Sequence, residues 1–214
     1  MDFTGFYYLV FFPLTAGYII GSIPFGLVLG FLFGYGDIRK IGSGNIGTTN
    51  VLRTGNKPLA LLTLILDSGK SAFPIMIVYG GPVWGGVESE QLDASLPHYY
   101  ALMFGLGAGI GHSFPIWLKF KGGKGFATTL GTLLAAVPYA GLAACITWIG
   151  MVAISRISSL GALTATLIAP IVTLFVYGSN PAAVCFLITV LVWTRHKDNI
   201  KRLMKGEETK IGAK

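Results

Sequence analysis

Long apolar runs separated by short polar segments dominate this chain of 214 residues. A bilayer core of about 30 Å requires roughly 20 mostly apolar residues in one helix. Seven runs bounded by charge, glycine or proline are candidates: 6–33, 58–79, 96–118, 125–137, 138–155, 158–177 and 181–194. The pattern therefore predicts an all-α polytopic membrane protein with seven transmembrane helices, which form one integral membrane domain over residues 1–214.

The fourth run, 125–137, is short for a membrane crossing, and it could form one bent span with the fifth. Because a residue before proline disfavours helical geometry, Val137-Pro138 suits a tight connection between two helices. A merged span would also place Arg156 and the basic tail on the wrong sides of the membrane. We therefore expect two separate helices.

Composition and charge agree with a membrane protein and predict its orientation. The mean hydropathy is +0.67, and only 12% of the residues are charged. Apart from Lys70, every Lys and Arg lies in the first, third or fifth connection or in the tail after residue 194, whereas Glu88, Glu90 and Asp93 lie in the second connection. Because cytoplasmic loops collect Lys and Arg, we expect the N-terminus outside and the C-terminus in the cytoplasm.

This topology also accounts for the net charge of +7, so we expect no nucleic-acid partner. Cys145 and Cys185 lie in predicted spans without metal-ligand spacing, which favours a packing role for both. We expect neither a metal site nor a cofactor.

The first connection carries the stretch 42-GSGNIGTTN-50 and, three positions later, Arg53. Glycines allow backbone N–H groups to converge on an anion, and the hydroxyl and amide side chains of the stretch offer further donors. The guanidinium fork of an arginine suits phosphate oxygens. The stretch also fits a dinucleotide fingerprint, but the charged segment 37–41 and the flanking membrane spans exclude the βαβ unit that this fingerprint requires. The segment predicts an anion-binding loop, and a glycine-rich turn without a ligand is the alternative.

A second polar cluster occupies residues 111–128, at the end of the third predicted span. Lys119, Lys121 and Lys124 lie around a Gly-Gly pair, without the spacing of a nucleotide-binding Walker loop. They could bind an anion, or they could flank lipid headgroups. His112, in the same glycine-rich stretch, could be a hydrogen-bonded packing residue or a ligand.

The third cluster follows the last predicted span, where His196, Asn199 and Arg202 recur at intervals of three and so share one helix face. A charged pair lies inside the second span. Asp67 and Lys70 are three positions apart on one helix face and can neutralise each other. We favour a structural pair that supports the site, with direct contact to substrate as the alternative.

The three clusters together resemble the acyl-phosphate-dependent glycerol-3-phosphate acyltransferases of bacterial membranes. The similarity to the three motifs of this family is carried by Gly42, Ser43, Gly44, Asn45, Gly47, Thr49 and Asn50; by Gly111, His112, Phe114, Pro115 and 120–125; and by His196, Asn199, Ile200, Arg202, Leu203, Gly206 and Glu208. It spans nearly the whole chain. Thr48, Ser71 and Phe126 depart from the usual residues of the family, which affects local packing rather than chemistry.

The resemblance implies transfer of a fatty acyl group from acyl phosphate to the 1-hydroxyl of glycerol 3-phosphate, which gives lysophosphatidate and phosphate. It implies a protein of the bacterial cytoplasmic membrane, in contact with membrane lipid, with its active site on the cytoplasmic side. The expected substrate-binding residues are Gly42, Ser43, Gly44, Asn45, Gly47, Thr49, Asn50, Arg53, His112, Lys121, Lys124, His196, Asn199, Arg202 and Glu208. Of these, we expect Arg53, Lys124 and His196 to be catalytic.

The sequence contains no His-x-x-x-x-Asp acid/base motif, no Gly-x-Ser-x-Gly elbow and no candidate Cys-His pair on one membrane face. We therefore expect direct attack by the substrate hydroxyl, without a covalent acyl-enzyme. Ser43, Asn45 and Arg53 would hold one phosphate, and Lys121, Lys124 and His196 would lie near the other. Either a phosphate oxygen of the substrates or His196 would accept the hydroxyl proton.

Two other classes of function are open from the sequence. An anion transporter would also use glycine-rich loops and a charged pair in a span, although the acidic second connection offers no evident anion entrance. A membrane scaffold that binds anionic lipids would explain the basic tail but not the first cluster. Coenzyme A thioesters and acyl carrier protein are alternative acyl donors, against which only the family resemblance argues.

Overall fold

The computed structural model describes residues 7–42, 44–80 and 95–212, and all regular structure within these ranges is helical. A π-helical turn, Tyr7–Phe11, leads into the first α-helix. The α-helices are α1 (Phe12–Gly21), α2 (Phe25–Leu32), α3 (Thr48–Leu52), α4 (Lys57–Gly80), α5 (Ser95–Ser113), α6 (Phe126–Ala136), α7 (Pro138–Ser155), α8 (Ser158–Tyr177), α9 (Ser179–Arg195) and α10 (Lys197–Met204). Short 3₁₀ turns lie at Ile38–Lys40, in the first connection, and at Ile116–Leu118, at the end of the third predicted run.

Helices occupy all seven predicted apolar runs, but they differ in length. In the part of the chain that the structure describes, five segments are long and apolar enough to cross a membrane: Phe12–Leu32, Lys57–Ile77, Ser95–Leu118, Pro138–Ser155 and Ser158–Tyr177. α6 and α9 are apolar but shorter, with 11 and 17 residues. Five candidate spans are thus established, whereas seven crossings and the orientation of the termini stay predictions. Glu88, Glu90 and Asp93, on which part of the orientation rests, lie outside the described residues.

The first predicted run is broken inside the candidate span. α1 ends at Gly21 and α2 begins at Phe25, because Pro24 lacks a backbone N–H and disfavours helical geometry in the residue before it. The break leaves backbone carbonyls without helical partners, and side chains from other elements satisfy them. Trp117 Nε1 donates to the carbonyl of Ser22 at 2.7 Å, and Lys70 Nζ donates to that of Ile23 at 3.2 Å.

The expectation of separate helices in the fourth and fifth runs is confirmed. Val137 lies between α6 and α7 with a non-helical backbone (φ −140°, ψ 72°), and Pro138 is the first residue of α7. A proline is well tolerated in the first turn of a helix, where its missing N–H has no intrahelical acceptor.

Small residues allow close contacts between several helices. A Cβ atom at Gly17 of α1 would lie 2.0 Å from the carbonyl oxygen of Phe104 in α5, and one at Gly107 of α5 would lie 2.1 Å from that of Leu14. A Cβ at Gly131 of α6 would lie 2.1 Å from the carbonyl oxygen of Ser68 in α4. Close backbone approach of this kind is typical of helix packing in membranes. It brings α1, α4, α5 and α6 together, and the polar clusters lie at the ends of these helices and of α9.

Candidate active site

A small hydrophobic cluster holds the first connection against α2 and α4. Its buried members are Leu27, Leu29, Ile38, Ile46, Val51, Leu59 and Ala60. Leu118, the last residue of the third predicted run, packs against the same cluster directly before the third connection begins. The first and third connections are therefore neighbours, as the anion-binding hypothesis requires.

The first connection folds back on itself around Gly42. Gly42 has a φ of 54°, and a Cβ atom there would lie 2.6 Å from an Nη atom of Arg53 and 2.7 Å from Oδ1 of Asn50. Glycine is the residue that tolerates this conformation and leaves room for the guanidinium. Arg53 thus lies over the turn, and its side chain is solvent-exposed.

The two asparagines of the first connection determine the shape of the loop. The Asn50 amide nitrogen donates to the carbonyls of Ile38 and Asn45, both at 2.8 Å, and Asn45 Oδ1 accepts from the backbone N–H of Ile46 at 2.8 Å. A side-chain amide has two N–H hydrogens, so both donors of Asn50 are used within the protein. This differs from the sequence-based expectation that Asn50 offers donors to an anion.

The remaining predicted residues of the first connection differ in accessibility. Ser43 lies outside the described residues, Thr49 is exposed, and Gly44 has a φ of 70°. Gly47 precedes α3 with an extended backbone. The Thr48 hydroxyl is buried and has no hydrogen-bond partner within the described ranges.

In the third connection, a Gly-Gly turn is held on both sides. The N–H groups of Gly122 and Gly123 donate to the carbonyls of Ser113 and His112, at 3.1 and 2.9 Å. From the other side, the Arg195 guanidinium donates to the carbonyls of Gly122 and Gly123, each at 3.1 Å. This double attachment fixes the backbone that leads into Lys124.

The charged pair in the second span forms a buried network with His112. Lys70 Nζ lies 3.2 Å from Asp67 Oδ1 and 2.7 Å from His112 Nδ1, and His112 Nδ1 lies 3.7 Å from Asp67 Oδ1. The side chains of Asp67, Lys70 and His112 are all at most 5% exposed. The predicted Asp67–Lys70 pair is confirmed, and His112 belongs to the same network through its Nδ1 atom.

The third cluster is organised around the carboxylate of Glu208. Ser159 Oγ donates to Oε1 at 2.8 Å, Arg202 Nε donates to Oε2 at 2.6 Å, and the Asn199 amide donates to Oε1. Burial alone would raise the pKa of the Glu208 carboxyl, but the donated hydrogen bonds outweigh it and hold this pKa below its usual value. Glu208 is therefore an anion that joins α10 to the start of α8.

His196, between α9 and α10, is buried at 3% exposure. Its Nδ1 atom lies 2.8 Å from the Val192 carbonyl, which can only accept, so Nδ1 carries the hydrogen and Nε2 keeps its lone pair. Burial lowers the pKa of His196 to about 4; the hydrogen bond to Val192 opposes this shift, and the nearby Lys124 ammonium adds to it. His196 is thus neutral at physiological pH and offers an acceptor.

Lys124 connects the three clusters. It is half-buried, and burial lowers the pKa of its ammonium to about 8. The Glu208 carboxylate opposes this shift, whereas the charges of Arg202 and Arg53 contribute to it. Because charge interactions decline with distance and screening, these residues share one site. The Lys124 ammonium thus lies within electrostatic range of Arg53, His196, Arg202 and Glu208, and Asn199 joins this group through its hydrogen bond to Glu208. Lys121 is exposed.

Two residues of this site escaped the sequence analysis. Arg195 was counted only as a basic residue of the tail, although its position directly before His196 at the end of an apolar run was a usable signal. Ser159 lies 49 positions from its partner Glu208, and no sequence pattern links the two.

Comparison with known proteins gives consistent results. The family model described as glycerol-3-phosphate acyltransferase matches residues 11–206. A glycerol-3-phosphate acyltransferase of Rhodospirillum rubrum is 54% identical over 200 residues, which cover 93% of this chain and 89% of the relative. One from Paramagnetospirillum magneticum is 51% identical over 198 residues, which cover 92% of each.

Two solved structures share the fold. Both are crystal structures of PlsY (YgiH), an integral membrane glycerol 3-phosphate acyltransferase. The glycerol 3-phosphate form has a TM-score of 0.80 and 35% sequence identity, and the lysophosphatidic acid form has a TM-score of 0.78 and 34% identity. Each comparison covers 94% of this chain and 95% of the other.

Proposed function

The chain belongs to the glycerol-3-phosphate acyltransferase family, and on this premise we propose that it transfers a fatty acyl group from acyl phosphate to the 1-hydroxyl of glycerol 3-phosphate. The products are lysophosphatidate and inorganic phosphate, and the reaction is the first acylation step of phospholipid synthesis. The observation that carries this proposal is that three cationic side chains, Arg53, Lys124 and Arg202, lie within electrostatic range of one another.

The charges of the site suit two phosphate-bearing substrates. Three cationic side chains, Arg53, Lys124 and Arg202, lie near two carboxylates. One of these is Glu208, which is already bonded to Arg202, and the other is Asp198. We assign Arg53 and the first connection to one phosphate, and Lys124 with Lys121 and His196 to the other. Asn199 and Glu208 orient Arg202, and His112 supports the Gly-Gly turn that precedes Lys124. Preorganised cations of this kind stabilise charge on the leaving phosphate, which is where charge develops when acyl phosphate is the donor.

Acyl transfer is proposed to be direct. The 1-hydroxyl oxygen forms a bond to the acyl carbon, the bond from that carbon to the phosphate oxygen breaks, and phosphate leaves with the electron pair. The hydroxyl proton passes to a phosphate oxygen of the substrates. His196 is the competing base, but its pKa of about 4 makes it a weak one, whereas the second pKa of a phosphate monoester is about 6.

His196 is instead suited to orient the nucleophile. Its Nε2 lone pair can accept a hydrogen bond from the substrate hydroxyl, because Nδ1 is committed to Val192. The acidic and basic connections support an active site on the cytoplasmic side of the bacterial inner membrane, with the acyl tail in contact with membrane lipid.

The test is product formation by the purified protein in lipid, supplied with glycerol 3-phosphate and either acyl phosphate or an acyl coenzyme A. We expect lysophosphatidate from acyl phosphate alone. Incubation with acyl phosphate but no acceptor should leave the intact protein mass unchanged, since no acyl-enzyme forms. Equal rates from both donors would contradict the proposed donor, and lysophosphatidate from neither would contradict the proposed reaction.

A further inference from the structure

The buried network of Asp67, Lys70 and His112 lies within candidate membrane spans, where charged groups are costly and usually have a function. An ammonium has three N–H donors. Three acceptors surround Lys70 Nζ: Asp67 Oδ1 and the Ile23 carbonyl, both at 3.2 Å, and His112 Nδ1 at 2.7 Å. Donors and acceptors therefore match in number, and the carboxylate balances the charge.

This arrangement determines which nitrogen of His112 carries its hydrogen. Because Nδ1 accepts from Lys70, the hydrogen of the neutral ring is on Nε2. That edge of the ring faces the Gly-Gly turn: a Cβ atom at Gly123 would lie 2.1 Å from His112 Nε2. The backbone carbonyl of His112 also accepts from the N–H of Gly123. Both the ring and the backbone of His112 thus contact the residue that precedes Lys124.

The network also fixes the position of the ring itself. Lys70 ties His112, on α5, to Asp67, on α4, and to the break between α1 and α2 at Ile23. Arg195 holds the opposite side of the same turn. A displacement of His112 would therefore move Gly123, and Lys124 would follow along the chain.

We propose that Asp67, Lys70 and His112 are positioning residues for acyl transfer, which hold the Gly-Gly turn so that the Lys124 ammonium lies at the anion site. The proposal rests on the proposed function, since it takes Lys124 to be the group that meets a substrate phosphate. A purely structural pair would stabilise the helices without acting on Lys124. The two roles can be distinguished, because a positioning role affects catalysis only while Lys124 is present.

The main variant is Asp67→Leu/Lys70→Met, which removes both charges and leaves neither partner buried alone. We expect kcat/KM to fall about 10- to 100-fold, because a displacement of about 1 Å in a catalytic group has effects of this size. Combined with Lys124→Ala, the same change should cause almost no further loss, since groups that act through one another are not additive. Lys57→Met, an exposed substitution at the start of the same helix, is the matched control and should keep wild-type kcat/KM.

A second readout is independent of turnover. Labelling of Lys124 by an amine-reactive reagent, followed by mass spectrometry across pH, reports when its amine becomes neutral. We expect a midpoint near pH 8 in the wild type and a higher midpoint in the double variant, where the side chain leaves its buried position. This result does not depend on the reaction, so it separates a failure of the positioning proposal from a failure of the proposed function.

His112→Asn serves if the double variant does not fold. Asparagine keeps an acceptor close to the position of Nδ1 but removes the ring edge that faces Gly123. We expect the same loss of kcat/KM, again absent in the Lys124→Ala background. Wild-type kcat/KM in either variant, losses that multiply with that of Lys124→Ala, or an unchanged labelling midpoint would overturn the proposal.

Discussion

Two buried histidines lie near Lys124, and their surroundings give them opposite hydrogen-bonding roles. His112 accepts at Nδ1 from Lys70, so its hydrogen is on Nε2. His196 donates from Nδ1 to the Val192 carbonyl, so its Nε2 atom is an acceptor. Both side chains are buried. The difference comes entirely from the partner of Nδ1, which is an ammonium in one region and a carbonyl in the other.

The two histidine rings also differ in how many chain segments they contact. The His112 ring is joined to three chain segments through Lys70 and faces a backbone turn. The His196 ring has one bond to its own helix, and its environment is set by the charges of Lys124 and Glu208. We therefore expect His112 to support the Gly-Gly turn and His196 to meet the nucleophile.

The largest effect is expected from Gly123→Ala, which disrupts the contact between the His112 ring and the Gly-Gly turn. The added Cβ would lie 2.1 Å from His112 Nε2, and the ring cannot move without losing its bond to Lys70. We expect kcat/KM to fall about 100-fold or more, measured as lysophosphatidate formation. Gly150→Ala, at a helical position with open space around the added Cβ, should have almost no effect. Similar kcat/KM values for the two variants would contradict the role of His112.

The second-largest effect is expected from the pH dependence of Lys124, the residue near both histidines. Burial lowers the pKa of Lys124 to about 8, so its positive charge is present below that pH and is lost above it. We expect kcat/KM to fall above pH 8, by about tenfold per pH unit, as the cation disappears. Lys124→Arg should keep activity at pH 7 and move this decline to higher pH, since a guanidinium stays protonated. A decline at the same pH in the arginine variant would show that another group titrates.

A smaller loss of kcat/KM is expected from Glu208→Gln, a change in the cluster that contains His196. The change removes the charge that Ser159, Asn199 and Arg202 share, and it turns an amide N–H towards one of these donors. We expect about a tenfold loss of kcat/KM, because Arg202 and Lys124 lose their anionic neighbour. Glu207→Gln removes the adjacent, exposed carboxylate and is the matched control. Equal losses in both variants would assign the effect to net charge rather than to the Glu208 contacts.

The apolar pattern was sufficient to predict where the helices lie, but not where a helix is broken inside a candidate span. It located all seven apolar segments and the boundary at Val137, because proline and hydrophobic run length are local properties. It did not predict that Pro24 breaks the first segment into α1 and α2. That break depends on Trp117 and Lys70, which satisfy the freed carbonyls from distant positions in the chain.

The three polar clusters were recognisable because each is contiguous in the sequence, and the Asp67–Lys70 pair because its members share one helix face. Contacts between segments that are distant in the sequence were not recognisable from it. The attachment of Arg195 to the Gly-Gly turn, the bond from Ser159 to Glu208 and the bond from Lys70 to His112 join residues 42 to 73 positions apart. The roles of the two histidines depend on such contacts, so no sequence pattern could distinguish an accepting Nδ1 from a donating one.

The central claim is that catalysis rests on positioning two anions rather than on a histidine base. The most direct test is turnover at saturating concentrations of both substrates in His196→Ala and Arg53→Ala. We expect His196→Ala to lose about tenfold or less, because the change removes one orienting hydrogen bond and a group with a pKa of about 4 contributes little as a base. We expect Arg53→Ala to lose about 100- to 1,000-fold. The reverse result, with His196→Ala inactive and Arg53→Ala close to wild type, would contradict the account.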